Sequence, residues 1–442
     1  MPILPPELQD YILDFLAADK PTLRQCALTS RNWLPRVQHL LFRSIYIDWS
    51  NCNTFTRLLD AHPDLAIHIA TLEIEGAFGI FSNDRLHNAT LDAWFRALPP
   101  SFPTQLSNLT KLELALVSLD AELIHGVLSR FPNVSHLSLW ACKLSGFALF
   151  IDLFISLARL TCLSISFTHE WETGARPLPL IPLVAADSTP LPALTTVELS
   201  SDCDNFFVLR WLIARRLHHS IVHLSCAGVP WPSLYSLAEV LAVLAPTLRT
   251  LRIGFRDHHG PAANLAVEPA PAPVAPAGGG VGGATRSDGP GGRSSGDSRG
   301  AFIPLTALES FTLDVHTTRL AAVPYTLFLL ARLPAPALRT LAFAVYCGEA
   351  NTAALVPWPR LAEAAAGVAR ARAPLERVVV RVLEREREGG ALFESTFPPR
   401  AQPAVDLAEM EGAARAAFGA QGLDGLVAFE QGKYSDIGQQ WC

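Results

Sequence analysis

A short pattern of apolar and variable positions recurs along most of the chain. Each copy has an apolar residue, two residues of any type, a second apolar residue, one residue of any type and a third apolar residue. The last two apolar positions alternate as the inward side chains of a short strand, and the first is expected to pack beneath them. The middle positions of the ten copies are Leu72, Leu112, Leu137, Leu163, Val197, Leu224, Leu251, Phe311, Leu341 and Val378.

The separation between successive copies is typical of a repeat protein. Four of the separations between middle positions are 25 to 27 residues, which lies within the range of leucine-rich repeats. Longer separations of 40, 34 and 60 residues indicate insertions. They hold an extra helix near 91–98, a proline-rich rim loop near 177–190 and the segment 260–300.

The segments between copies carry the 3.6-residue period of amphipathic helices. Apolar positions fall on one helical face in residues 119–131, 147–155 and 234–244, and Asp120 is placed to cap the first of these helices. Further along, an alanine-rich segment at 404–418 predicts a helix, and four apolar residues at 426–429 predict a last strand. Strand–helix alternation with one-way connectivity predicts an α/β fold, a curved leucine-rich-repeat-like βα solenoid with a parallel sheet.

The residues before the first copy indicate a small bundle of helices. Leu8, Ile12, Phe15 and Leu16 fall at helical spacing and predict one apolar face. The two prolines before them suit a first helical turn, where a missing N–H costs little. A unit of about forty residues buries little apolar area by itself. We therefore expect the bundle to need partners on more than one side.

Two further helices are predicted in this bundle. Asp19 can cap a helix through 22–28, because its side chain can accept from a free backbone N–H of the first turn. Pro35 fits only near the start of a third helix, roughly 33–41.

A series of spaced residues runs through the three predicted helices: Leu4-Pro5, Glu7-Leu8, Ile12, Leu16, Leu23-x-x-Cys26-Ala27, Ser30-Arg31-x-Trp33 and Leu41-Phe42. This series resembles an F-box, the helical motif that docks on the Skp-type adaptor of a cullin–RING ubiquitin ligase. The resemblance covers about 40 of the 442 residues. It implies a substrate-recognition subunit of an SCF-type ubiquitin ligase. An N-terminal helical cap that merely closes the repeat array is the alternative reading.

This reading divides the chain into five parts and assigns binding roles to the bundle and to both parts of the repeat array. The parts are the F-box bundle at 1–43, the repeat array at 44–259 and 301–431, a loop at 260–300 and a tail at 432–442. Eleven glycines and six prolines in 260–300 predict a disordered low-complexity loop. The residues expected to contact the adaptor are Leu4, Pro5, Leu8, Ile12, Leu16 and Leu23, with Trp33 partly buried against the repeats.

Side chains between the inward strand positions should line the concave face, which repeat proteins use for binding. Most of these positions are polar, with acidic residues toward the first half and arginines toward the second. Trp140 differs, because a large aromatic side chain on an open face is a candidate binding anchor; packing on a neighbouring strand or rim loop is the alternative. The residues expected to contact a target protein are Glu73, Glu113, Trp140, Arg252, Arg377 and Arg381.

Composition narrows the classes of partner and compartment. A net charge of −6 gives no basic excess that would favour nucleic acid or an anionic membrane. The eight cysteines include no Cys-x-x-Cys pair, which predicts reduced thiols in a cytoplasmic or nuclear protein. No apolar run approaches the length of a membrane helix, and the N-terminus lacks the positive region of a signal peptide.

No signature of catalysis or metal binding occurs in the sequence. We found no nucleophile elbow, Walker loop, His-Glu-x-x-His motif or paired-carboxylate motif. The pairs His218-His219 and His258-His259 are expected in turns rather than at a metal. We therefore expect neither enzyme activity nor a cofactor. A repeat scaffold without ligase function and an α/β hydrolase-like enzyme are the second and third hypotheses.

Overall fold

The computed structural model describes twelve stretches of the chain, and all structural statements refer to them. The predicted rim loop at 177–190, the loop at 260–300 and the tail beyond 433 lie outside the described residues. The described stretches are 5–77, 84–144, 146–166, 193–200, 205–230, 234–256, 305–316, 330, 335–347, 355–371, 375–384 and 406–433.

The N-terminal unit contains the three predicted helices: α1 (Pro6–Phe15), α2 (Lys20–Thr29) and α3 (Leu34–Phe42). Each has a proline in its first turn, where the absent N–H needs no partner. Asp19 caps α2, because its carboxylate accepts from the backbone N–H of Thr22 at 3.1 Å.

One sheet of twelve parallel strands runs through the rest of the described chain, and its strands follow each other in chain order. The first and last strands stand at opposite ends of that order, so the described strands form no closed barrel. A second sheet has two short strands, β4 (Ser118–Leu119) and β6 (Lys143–Leu144). The twelve strands are β1 (Ser44–Ile47), β2 (Thr71–Glu75), β3 (Lys111–Ala115), β5 (His136–Trp140), β7 (Cys162–Ser166), β8 (Thr196–Leu199), β9 (His223–Pro230), β10 (Thr250–Arg256), β11 (Ser310–His316), β12 (Thr340–Cys347), β13 (Arg377–Glu384) and β14 (Val427–Lys433).

The ten middle positions of the sequence pattern lie in register across this sheet. Leu112 pairs with Leu72 on one side and with Leu137 on the other, and the same register continues to Val378. All ten side chains are buried. The first positions of the pattern are buried too, except for the half-buried Leu375. The apolar positions of the pattern are therefore the residues that point into the core from one side of the sheet.

Helices cover the inward side of the sheet, since their apolar residues form one continuous core with the inward strand residues. The predicted helix at 119–131 is shorter than expected, because α7 ends at Gly126 and a 3-10 turn, Leu128–Arg130, follows it. The helices are α4 (Cys52–Ala61), α5 (Asp84–Ala97), α6 (Phe102–Gln105), α7 (Ala121–Gly126), α8 (Phe147–Ser156), α9 (Asn205–Ala214), α10 (Leu234–Leu244), α11 (Trp358–Ala371) and α12 (Leu407–Gly419).

Six of the eight cysteines lie within the described residues, and five of these six carry free thiols. Cys162 is disulfide-bonded, so the prediction of reduced thiols is wrong at this position. That prediction searched for closely spaced cysteine pairs and takes no account of residues that the fold brings together. The free thiols are Cys26, Cys52, Cys142, Cys226 and Cys347.

Candidate functional site

The outer face of α1 is apolar and exposed. Leu8, Tyr11, Ile12 and Phe15 have the i, i+3, i+4, i+7 spacing of one helix face. Phe15 is 73 % exposed, and the other three side chains are about half exposed. The rings of Tyr11 and Phe15 meet edge to face, with centroids 4.8 Å apart. We call these four residues the apolar ledge.

The inner face of α1 is fixed to the rest of the bundle. Leu13 is buried against residues of α2 and α3. The indole N–H of Trp33 donates to Oε1 of Gln9 at 2.8 Å, and Nε of Arg36 donates to Oδ1 of Asp14 at 2.9 Å. Helix α1 is therefore apolar on two sides, and the bundle covers only one of them.

The structure separates the predicted adaptor residues into surface and core. Leu8 and Ile12 lie on the apolar ledge, and Pro5 is exposed just before α1. Leu16 is half-buried and packs against the centre of the bundle. Leu4 lies outside the described residues.

Two of the predicted adaptor residues require correction. Leu23 is 0 % exposed and forms the centre of the bundle with Leu13 and Val37, so it supports the ledge from behind and offers no contact surface. Trp33 packs on the same centre and not on the repeats. The predicted adaptor contacts omitted Phe15, although the sequence placed it on one apolar face with Leu8 and Ile12, and they omitted Tyr11, which the same helical spacing places there.

The alternate strand positions, which point away from the helices, are mostly polar, and we call this side of the sheet the polar face. It is partly open over β2–β9. Among the predicted target-binding residues, Glu73, Glu113 and Trp140 are half-buried there. Trp140 lies between Ala115 and Ser166 in the strand register. Small or polar neighbours thus flank the aromatic side chain on both adjacent strands.

Carboxylates dominate the beginning of this open face. Lys111 Nζ lies 2.6 Å from Glu113 Oε1, and the Tyr46 hydroxyl donates to Glu75 at 2.6 Å. Partial burial raises the pKa of Glu73, and the nearby carboxylates of Glu113 and Glu75 raise it further. Three acidic side chains, Glu73, Glu75 and Glu113, therefore lie together at this end of the sheet, with Lys111 and Lys20 as the cations that lower the pKa of Glu73.

The polar face is closed over β10–β12, where a buried ion pair replaces open surface. Nε of Arg252 donates to Oδ1 of Asp314 at 2.9 Å, and the guanidinium also donates to the Tyr346 hydroxyl. The side chains of Arg252 and Asp314 are only 8 % and 1 % exposed. Gly254 lies against the same carboxylate, since a Cβ at this position would be only 2.9 Å from Oδ2 of Asp314. A larger residue here would therefore crowd the ion pair. The prediction that Arg252 contacts a target is therefore wrong, because its guanidinium is buried by internal partners.

Arg377 and Arg381 share one acidic partner at the far end of the sheet. Their Nη2 atoms lie 2.7 Å from Oε1 and Oε2 of Glu430, respectively. Arg377 remains about half exposed and Arg381 is half-buried. These predicted target residues lie together on the polar face, as expected, but each is already paired within the chain.

Glu198 borders both the open and the closed part of the polar face. Within the described residues, its Oε1 atom is buried without a hydrogen-bond partner. Burial raises its pKa to about 7, although Arg252 and a hydrogen bond from Ser164 act in the opposite direction. A cavity of about 10 Å³ beside it is also bordered by Ser225, and it has room for about one water molecule.

The raised pKa of Glu198 predicts a pH dependence of stability. Between its ordinary value of 4.5 and about 7, the folded state binds more protons than the unfolded state, so this residue's contribution to stability falls as pH rises. We expect Glu198→Gln to flatten the decline in unfolding free energy from pH 5 to pH 8, measured by urea denaturation. A titration midpoint near the ordinary value in carbon-13 NMR of the Glu198 carboxyl group would contradict this.

In the part of the chain that the structure describes, no group of three or more His, Cys, Asp and Glu side chains could hold a metal ion. His218 and His219 lie in a 3-10 turn, Leu217–Ser220. No described helix combines the length and apolar character needed to cross a bilayer.

Comparisons with protein-family models and with curated proteins found no match to this chain.

Proposed function

We propose that this protein is the substrate-recognition subunit of an SCF-type cullin–RING ubiquitin ligase. In this proposal residues 1–43 are an F-box that binds the Skp-type adaptor. The strand–helix units form a curved leucine-rich-repeat-like solenoid that binds a target protein through its polar face. The protein acts in the cytoplasm or nucleus and catalyses no reaction itself. It raises the effective concentration of the target near the ubiquitin-conjugating enzyme.

The observation that carries this proposal is the apolar ledge. A helix face with anchors at i, i+3, i+4 and i+7 is the form in which helices dock into apolar grooves of other proteins. Complete burial of each such side chain contributes about 1.5–3 kcal/mol. Tyr11 and Phe15 supply the aromatic surface that commonly dominates binding energy. The F-box resemblance includes Leu8 and Ile12 of the ledge, which supports a Skp-type adaptor as the protein that supplies the groove.

The polar face supports the second half of the proposal. Its open part, β2–β9, has half-buried polar side chains and the half-buried Trp140, a combination suited to a protein partner. The excess of carboxylates near Glu73 and Glu113 favours basic segments of that partner. The closed part over β10–β12 holds Arg252 inside the protein and makes no contact with the target.

The test is binding of the purified full-length chain to a purified Skp-type adaptor. We expect Phe15→Ala to weaken adaptor binding by about ten- to a hundredfold, because it truncates a central aromatic anchor. Thermal unfolding should stay nearly unchanged, since the ring is mostly exposed. Isothermal titration calorimetry gives the affinity, and circular dichroism gives the unfolding temperature.

Val243→Ala is a matched control, because Val243 is an exposed apolar residue of α10 and lies outside the bundle. It should leave adaptor affinity unchanged. Equal losses in Phe15→Ala and Val243→Ala, or no binding of the unmodified chain, would reject the ligase assignment. Recovery of a polar-face partner without any adaptor binding would then favour a repeat scaffold without ligase function.

A further inference from the structure

A cleft of about 210 Å³ opens on the helical side of the protein, between α5 and α7. Helix α5 occupies the 40-residue separation between the first two repeat copies, so the insertion supplies one wall of the cleft. Phe95, Leu123 and Val127 provide an apolar floor. This volume is many times the space that one water molecule needs, and it is enough for an extended side chain.

Gly126 borders the cleft without a side chain. It lines the cleft at the last position of α7, and a Cβ built on it would meet no atom within 4 Å. Its φ is not among the positive values found at Gly228 and Gly422. The backbone therefore accepts other residues here, and a larger side chain at this position would extend into the cleft.

The rim of the cleft carries more acid than base. Three carboxylates, Asp92, Asp120 and Glu122, line it together with Arg96 and Arg130. Arg96 already lies 3.4 Å from Asp120 and 3.4 Å from Glu122. Asp92 makes no hydrogen bond or salt bridge within the described residues. Its carboxylate is thus left to meet a positive charge that enters the cleft.

Partial burial raises the pKa of Asp92, although nearby Arg96 acts in the opposite direction. An arriving cation would favour the charged form of this carboxylate and offset its loss of hydration. The combination of an apolar floor and one unpaired carboxylate matches groups that carry a charged head on a hydrocarbon stem.

We propose that the cleft between α5 and α7 binds an alkylguanidinium or alkylammonium group. The stem packs on Phe95, Leu123 and Val127, and the charged head pairs with Asp92. An arginine or lysine side chain of a partner polypeptide and a free small amine share this chemistry. The site is independent of the apolar ledge and of the proposed ligase function.

The test titrates n-butylguanidinium, n-butanol and pentanoate, probes of similar length and different charge, into the labelled full-length protein. Methyl NMR signals of Leu123 and Val127 report occupancy. We expect saturable binding of n-butylguanidinium, about tenfold weaker binding of n-butanol and no binding of pentanoate, because only the cation gains the carboxylate. Binding of N-acetyl-arginine methylamide would identify a polypeptide side chain as the source, and its exclusion would identify a free cation.

Variants separate the cleft from non-specific association. Gly126→Leu should abolish n-butylguanidinium binding by filling the cleft, whereas Gly126→Ala should retain it. Asp92→Asn should weaken n-butylguanidinium by about fivefold and leave n-butanol unchanged. Circular dichroism confirms that each variant is folded. Equal affinity for the three probes, or binding that survives Gly126→Leu in the folded protein, would overturn the proposal.

Discussion

Replacing Arg252 with alanine should lower the free energy of unfolding by about 3–5 kcal/mol, because it leaves a buried charge without its partner. Asp314 would keep a carboxylate that is 1 % exposed and lose the guanidinium that compensates its lost hydration. The Tyr346 hydroxyl would lose a hydrogen-bond donor in the same step. Urea denaturation at pH 7 measures the change.

The matched control for Arg252 is Arg377→Ala, which removes an exposed salt bridge to Glu430 and should cost about 0–1 kcal/mol. In a double-mutant cycle, Arg252→Ala combined with Asp314→Ala should destabilise less than the sum of the single changes. If Arg252→Ala costs no more than Arg377→Ala, the ion pair is hydrated and the guanidinium is free for other partners.

Replacing Leu23 with alanine should unfold the N-terminal bundle while the large sheet stays folded. Deleting a fully buried leucine side chain costs about 2–5 kcal/mol, and a unit of about forty residues has a stability of roughly 2–6 kcal/mol. The buried centre of the bundle contains only Leu13, Leu23 and Val37. Hydrogen exchange should therefore increase throughout α1–α3, and the strands of the sheet should keep their protection.

Leu28→Ala is the control for this experiment, since Leu28 lies on the same helix, α2, and is 83 % exposed. Its hydrogen-exchange pattern should match that of the unmodified protein. Loss of protection along the strands in Leu23→Ala would show that bundle and sheet unfold as one unit, contrary to this expectation.

The sheet could be predicted from the sequence because its signal is repeated and local. Burial of alternate positions forces a period of two, and a one-residue slip would expose Leu112 and its counterparts. The same pattern fixed both the strands and their register. The helix caps were equally local: Asp19 and Asp120 each accept from a backbone N–H three residues later.

The candidate sites were harder to predict, because they depend on residues far apart in the sequence. Alternation places Arg252 on the polar face but says nothing of Asp314, which is 62 residues away. Helical spacing alone also left the orientation of α1 undefined. Leu23 lies on α2 and Trp33 just before α3, so their places at the centre of the bundle depend on how the three helices pack together. The cleft between α5 and α7 could not be predicted, because α5 belongs to an insertion that lacks the repeated pattern.

The order of the strands has a mechanical consequence. Each strand pairs with the strands nearest to it in the chain, so no inner strand is held by a distant terminal segment. Tension applied at the two ends should therefore peel the sheet apart strand by strand from its rims, giving a series of small force peaks in place of one large rupture.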